Sequence, residues 1–378
     1  MRIAMLGWEF PPFKSGGLGV HCYELTSAFA RKGIEVDFYM PRTEFEIKGT
    51  TPKLIQVMPV HFGPYTAREA YGADFMSRVL QYNLKCAEEV EKNNREKKYD
   101  LIHNHDWLTV RAALLAKQKI NKPHVFTVHS TEYDRSGLGP NPQILDIERM
   151  GVHSADRVIT VSHMMKKQLV DRFGADCGRV RVVYNGVDPD KFMKKWEVRK
   201  YSKEKVVLFL GRMAEQKGPV QFLQAAQKVL SVVKNVRFVM AGGGDMLPYL
   251  INYSIQLGIS DRVTFLGYLP ESQLHEAYAK SDVYVLPSVS EPFGITALEA
   301  MASGTPIILS KTSGVSEITP HCLKVDFWDV NKMAEDIIAL LRYRVLNHTM
   351  GIHEVEDAKK FSWDRAADET FNVYRELV

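Results

Sequence analysis

Two carboxylates eight residues apart, Glu291 and Glu299, stand in the stretch P-S-V-S-E-P-F-G-I-T-A-L-E-A-M-A-S-G-T-P from Pro287 to Pro306. Between them, Phe293, Gly294, Ile295 and Thr296 lie where a helix predicted over 294–303 opens. The first turn of a helix offers unpaired N–H groups and a positive dipole end, and so favours an anion. A carboxylate cannot hold that anion, but it accepts several hydroxyl hydrogen bonds. An anion site flanked by hydroxyl acceptors suits a ligand that is both phosphate and sugar. The plainer reading is a solvated helix glutamate and a partner for the helix dipole.

Cations suited to phosphate lie upstream, in G-R-M-A-E-Q-K-G from Gly211 to Gly218. Arg212 presents a planar fork and Lys217 a flexible point charge; alone, such a pair would be surface decoration. A third candidate is the loop W-E-F-P-P-F-K-S-G-G-L-G-V, residues 8–20. Gly16 and Gly17 would let backbone approach a ligand at a helix start, with Lys14 beside them; the alternative is a tight turn. The loop lacks G-x-G-x-x-G and is not a dinucleotide fingerprint.

Histidines mark two strand ends, in Y-D-L-I-H-N-H-D-W (99–107) and H-V-F-T-V-H (124–129). His103 and His105 alternate along a strand and share a face, as metal ligands could. The spacing places no third ligand, so no metal is expected. Open α/β sheets bind ligands at strand C-termini, where Asp106 and His129 fall; a lone histidine is more often structural.

Alternating apolar runs and helical patterns must position these groups. Strands are expected over 2–6, 36–40, 99–107, 124–129, 156–162 and 180–184, and again over 206–210, 236–241, 263–267, 283–286 and 307–309. Helices are expected over 20–32, 75–98, 144–154, from 162 to 173, and over 271–280. Residues 48–75 read as a hairpin plus loop. The expected fold is α/β, with two Rossmann-like, doubly wound parallel-sheet domains; the family resemblance described below implies that they face across a cleft. The boundaries are an N-terminal domain 1–190, a linker 191–205, a C-terminal domain 206–360 and a tail 361–378.

The chain has 378 residues, enough for two cores, with 45% hydrophobic and 25% charged residues. A net charge of +4 is too weak to argue nucleic-acid binding but suits anionic small substrates. The four cysteines are scattered, without C-x-x-C, which suits a reducing cytoplasm. No signal peptide and no membrane-spanning run is expected. Residues 191–205 carry seven basic and two acidic residues among aromatics. That stretch could touch an anionic membrane; a solvated linker is the preferred reading. Oligomeric state is not legible.

E-P-F-G, the second glutamate eight residues on and the ending A-M-A-S-G-T-P resemble the E-x7-E motif of retaining glycosyltransferases with the two-Rossmann-domain (GT-B) fold. K-S-G-G-L resembles the K-x-G-G-L loop of glycogen and starch synthases, and H-N-H-D-W their H-x-H-D-W. S-G-V-S-E, residues 313–317, resembles instead the broader family 4 glycosyltransferases. The resemblance covers essentially the whole chain. It implies a retaining, metal-independent transfer of a hexose, expected to be glucose, from an ADP-, UDP- or GDP-sugar to a hydroxyl acceptor. An α-glucan is the first expectation; a lipid, sugar phosphate or small metabolite is the alternative. No cofactor is implied.

Residue by residue, the resemblance assigns Lys14, Arg212 and Lys217 to the diphosphate, with the amides of Phe293 to Thr296. Gly16 and Gly17 fall near the transferring sugar. His129 and Glu291 would hold the hexose, Glu299 the ribose, and Tyr268 and Leu269 the base; Asp106 would touch substrate or orient a neighbour. D-P-D, 188–190, looks like the D-x-D metal motif of other glycosyltransferases, but the family places N-G-V-D there as a turn. A silent sugar-nucleotide-binding protein would not need Arg212, Lys217, Glu291 and Glu299 together. A phosphorylase would need a pyridoxal lysine, for which there is no motif.

Overall fold

The computed structural model describes residues 1–12, 16–42, 52–59, 73–136, 139–193 and 204–378. The short apolar runs form strands of two wholly parallel sheets. In the first, β1 (Arg2–Leu6), β2 (Glu35–Arg42), β3 (Lys53–Pro59), β4 (Leu101–His105), β5 (His124–Val128), β6 (Arg157–Thr160) and β7 (Val180–Val182) lie in the order β3-β2-β1-β4-β5-β6-β7. In the second, β8 (Lys205–Leu210), β9 (Val236–Ala241), β10 (Val263–Gly267), β11 (Val283–Leu286), β12 (Ile307–Ser310) and β13 (Leu323–Val325) lie in the order β10-β9-β8-β11-β12-β13.

Parallel strands joined by helical crossovers are covered on both faces, so their residues are buried without alternation. Every residue of β4, β5, β11 and β12 is buried. Each fully buried Leu, Ile, Val or Phe contributes about 1.5–3 kcal/mol of transfer free energy. The chain therefore divides into two compact Rossmann-like units, Met1–Asn185 with Trp363–Val378, and Gly186–Ser362.

In each sheet the strand order reverses once. In unit 1 the reversal falls between β1 and β4, and in unit 2 between β8 and β11. Such a switch point opens a crevice at the strand C-termini, where doubly wound sheets bind ligands. The loops after β1, β4 and β5, and those after β8 and β11, carry the candidate residues.

The helix expected from Val20 starts at Gly17 and runs to Arg31, with Gly16 extended as its N-cap. The hairpin expected over 48–75 is not formed by β3, which pairs parallel with β2 from Asp37↔Lys53 onward. No Asn-Gly or Asp-Gly turn precedes it, and parallel pairing needs a long connection instead. Residues 48–51 and 60–72 of that segment lie outside the described residues. Helices Val110–Ile120, Pro219–Val232, Val330–Arg342 and Arg344–Ala358, and strand β13, complete the crossovers; the pattern reading passed over them.

The last helix, Trp363–Arg375, packs on unit 1. It buries Trp363, Ala366, Ala367, Thr370, Val373 and Tyr374. The Tyr374 hydroxyl lies 2.6 Å from His103 Nδ1, and its ring centroid lies 5.7 Å from that of Phe29. Glu376 then accepts from both Arg157 and Arg181.

Candidate active site

In unit 2 the loop after β8 and the loop after β11 are tied together. The Val289 N–H donates to the Gln216 carbonyl at 2.9 Å, and the Lys217 ammonium pairs with Glu291 Oε2. Both side chains are largely buried, Glu291 at 8% and Lys217 at 21% exposure. Glu291 also accepts from Ser288 Oγ at 3.3 Å, while its backbone bonds Thr312 and Gly314. It is therefore no solvated surface glutamate. Arg212, one residue beyond Gly211, is exposed and its guanidinium makes no hydrogen bond among the described residues.

Two glycines let neighbouring loops approach the loop after β8 this closely. Gly218, at φ +69°, leaves no room for a side chain: a Cβ would lie 1.9 Å from the Pro287 carbonyl oxygen. At Gly242, φ +124°, a Cβ would lie 1.9 Å from the Gly211 oxygen. Only glycine combines these backbone angles with such contact. The Gly242 N–H bonds Gly267 at the end of β10, just before exposed Tyr268 and half-buried Leu269.

The helix Ile295–Ala302 opens after Gly294, with Phe293 buried behind it. Its first N–H groups have no acceptor one turn back in their own helix. The Thr296 hydroxyl is held 2.8 Å from the Tyr284 hydroxyl. Glu299, expected to be solvated on the plainer reading, is buried and accepts from Tyr278 at 2.8 Å. Unit 2 thus gathers Lys217, Glu291 and this helix opening at its switch point, with Arg212 on the loop from β8.

In unit 1, Asp106 follows β4 with φ +54°, a backbone that a non-glycine residue rarely adopts. Its carboxylate accepts from the His129 N–H at 2.7 Å, so Asp106 fixes the loop that carries His129. Burial raises the Asp106 carboxyl to about 6, against the nearby Arg135 charge and the His129 and Ser130 amides. The Arg135 guanidinium binds Glu148 and Glu132, and these carboxylates with Asp106 keep it charged despite burial. Gly16 and Gly17 sit exposed at the start of their helix; Lys14 lies outside the described residues.

The histidines do not act as a pair. His103 is committed to Tyr374 and, at 2.7 Å, to Thr127. His105 Nδ1 lies 3.0 Å from His129 Nε2, and His21 joins them from the first helix. Sequence reading missed His21; its signal was its place four residues after Gly17, one helical turn on. Burial holds His21 and His105 well below the usual histidine range and His129 near about 3, so all three are neutral. Asp188, of D-P-D, spends its Oδ1 on the Asp190 N–H at 3.1 Å, a turn cap. The linker's residues 194–203 lie outside the described residues.

A family model described as "Glycosyltransferase Family 4" matches residues 15–191, and one described as "Glycosyl transferases group 1" matches residues 190–352. An uncharacterized glycosyltransferase of Methanocaldococcus jannaschii is 34% identical over 99% of this chain and 98% of its own. The chain belongs to the glycosyltransferases. A D-inositol 3-phosphate glycosyltransferase of Mycobacterium bovis is 30% identical over all of this chain and 83% of its own. Among solved structures, sucrose-phosphate synthase from Thermosynechococcus elongatus superimposes with a TM-score of 0.86 at 23% identity, covering 100% and 98% of the two chains. The two parallel-sheet units are those of the GT-B fold. No described helix is long and apolar enough to cross a membrane.

Proposed function

We propose that this glycosyltransferase moves a hexose from a nucleoside diphosphate sugar to the hydroxyl of a small phosphorylated acceptor, with retention of the anomeric configuration. The observation that carries the donor half is the Lys217–Glu291 pair beside the opening of the helix Ile295–Ala302. A departing diphosphate gains negative charge as the glycosidic bond breaks. Cations and amides aimed at it lower the barrier. Arg212, Lys217 and the amides of residues 293–296 fill that role. Glu291, oriented by Lys217, accepts from sugar hydroxyls, and Glu299 from the ribose.

His129, held by Asp106 through its backbone, contacts the hexose. Gly16, Gly17 and Lys14 complete the sugar and diphosphate contacts, and Tyr268 and Leu269 neighbour the base. The leaving phosphate takes the acceptor proton, so no side-chain nucleophile is required. The acceptor reading rests on the likeness, over all of this chain, to a D-inositol 3-phosphate glycosyltransferase. The K-S-G-G-L and H-N-H-D-W motifs favour a second reading, an α-glucan acceptor.

A panel of ADP-, UDP- and GDP-sugars against inositol phosphate, hexose phosphates and glycogen decides between them. Transfer to a phosphorylated small acceptor, with the product anomer matching the donor, is expected; elongation of glycogen alone would favour the second reading, and an inverted product would overturn retention. Transfer is expected to continue in EDTA; loss restored only by added metal would contradict the metal-free scheme.

A further inference from the structure

We propose that His21, His105 and His129 form a binding site for a divalent transition-metal ion, of which Zn²⁺ is the best fit. One ring nitrogen from each lies within 4.8 Å of the others. His105 Nδ1 and His129 Nε2 are already 3.0 Å apart. Ligand nitrogens of a tetrahedral Zn²⁺, bound at about 2.0–2.1 Å, lie roughly 3.3–3.4 Å apart. The His105 and His129 rings need part by only a few tenths of an ångström to admit the ion, and His21 closes on them from at most 4.8 Å.

Hydrogen bonding commits the third ligand to the same role. His21 Nδ1 lies 2.7 Å from Asn185 Oδ1, a carbonyl that only accepts. That bond places the proton on Nδ1 and the lone pair on Nε2, as outer partners do for metal-bound histidines. His21 Nε2 is buried and makes no hydrogen bond among the described residues. A buried polar atom without a partner costs about 1–3 kcal/mol and calls for an explanation. Three neutral imidazoles are a donor set that zinc and its neighbours take, and not one that Mg²⁺ or Ca²⁺ prefers.

The site shares His129 with the donor. If His129 contacts the hexose, as the functional reading above holds, ion and nucleotide sugar exclude one another, and the ion is an inhibitor rather than a cofactor. This competition rests on that reading; the metal site itself does not.

Titration of the full chain with Co²⁺, followed by its visible absorption, tests the proposal. One equivalent is expected to bind with the intense bands of a low-coordinate nitrogen site, to be displaced by Zn²⁺ and to be unmoved by excess Mg²⁺. His21→Ala and His105→Ala should each weaken binding at least tenfold. His353→Ala should leave it unchanged, since that ring stacks on His321 elsewhere, in unit 2. Should either variant fail to fold, anomalous scattering from zinc-soaked crystals of the unaltered chain locates the ion directly. No binding, or an ion lodged at His321 and His353, would overturn the proposal while leaving the donor assignment intact. Binding that a saturating nucleotide sugar cannot expel would uphold the metal site and remove His129 from the hexose.

Discussion

At the scale of single residues, the Lys217–Glu291 pair links sequence to chemistry most directly. Removing either partner leaves the other charge largely buried and the donor site misassembled. Lys217→Ala and Glu291→Ala should each lower the transfer rate well over tenfold in steady-state assays. Glu291→Gln should retain more fold stability than Glu291→Ala, because its amide still occupies the position. Unchanged turnover in both alanine variants would sink the site assignment. These residues were legible because E-P-F-G and G-R-x4-K-G are local motifs. His21 was not, because its partners His105 and His129 are more than eighty residues away in sequence and meet only through the strand order around β1, β4 and β5. Nor was the Arg135 cluster, whose carboxylates come from two helices and a strand end.

At the scale of elements, turns decide whether those side chains meet. Gly242→Ala sets a methyl group against the Gly211 carbonyl and forces a left-handed backbone on alanine. It should destabilise by about 3 kcal/mol or more, lowering the midpoint of unfolding by roughly 6–12 °C. At the neighbouring Gly243 a Cβ would meet nothing within 4 Å, and Gly243→Ala should be nearly silent. Calorimetry of the two variants checks this; equal effects would contradict the close approach of the loops after β8 and β9. The helix Pro142–Ser154 depends on a second feature, Glu148 against Arg135. Glu148→Ala removes the nearer of two carboxylate partners from a mostly buried guanidinium, leaving Glu132, and should cost about 3 kcal/mol in urea unfolding, whereas a cost under about 0.5 kcal/mol would place that pair among ordinary surface contacts.

The strand cores were plain from unbroken apolar runs, and β9 and β10 begin and end where the pattern puts them. Helices such as Val330–Arg342 were passed over because they carry no motif. The parallel pairing of β3 is a nonlocal fact: a seven-residue strand segment fits a hairpin or a sheet edge equally well until its neighbour is known.

At the scale of the whole molecule, two switch points are built by one chain whose ends return to the same unit. Truncation before Trp363 would uncover Phe29 and leave His103 without its Tyr374 partner. Hydrogen exchange in β1 and β4 should then accelerate at least tenfold; protection unchanged from the full chain would show that the last helix is dispensable to unit 1. The central claim is that unit 2 holds a nucleoside diphosphate sugar at its switch point. A crystal structure with UDP-glucose, or with whichever sugar nucleotide the panel selects, tests it most directly. The diphosphate is expected against Arg212, Lys217 and the opening of the helix Ile295–Ala302, with Glu291 on sugar hydroxyls. A diphosphate bound away from those residues would contradict the claim.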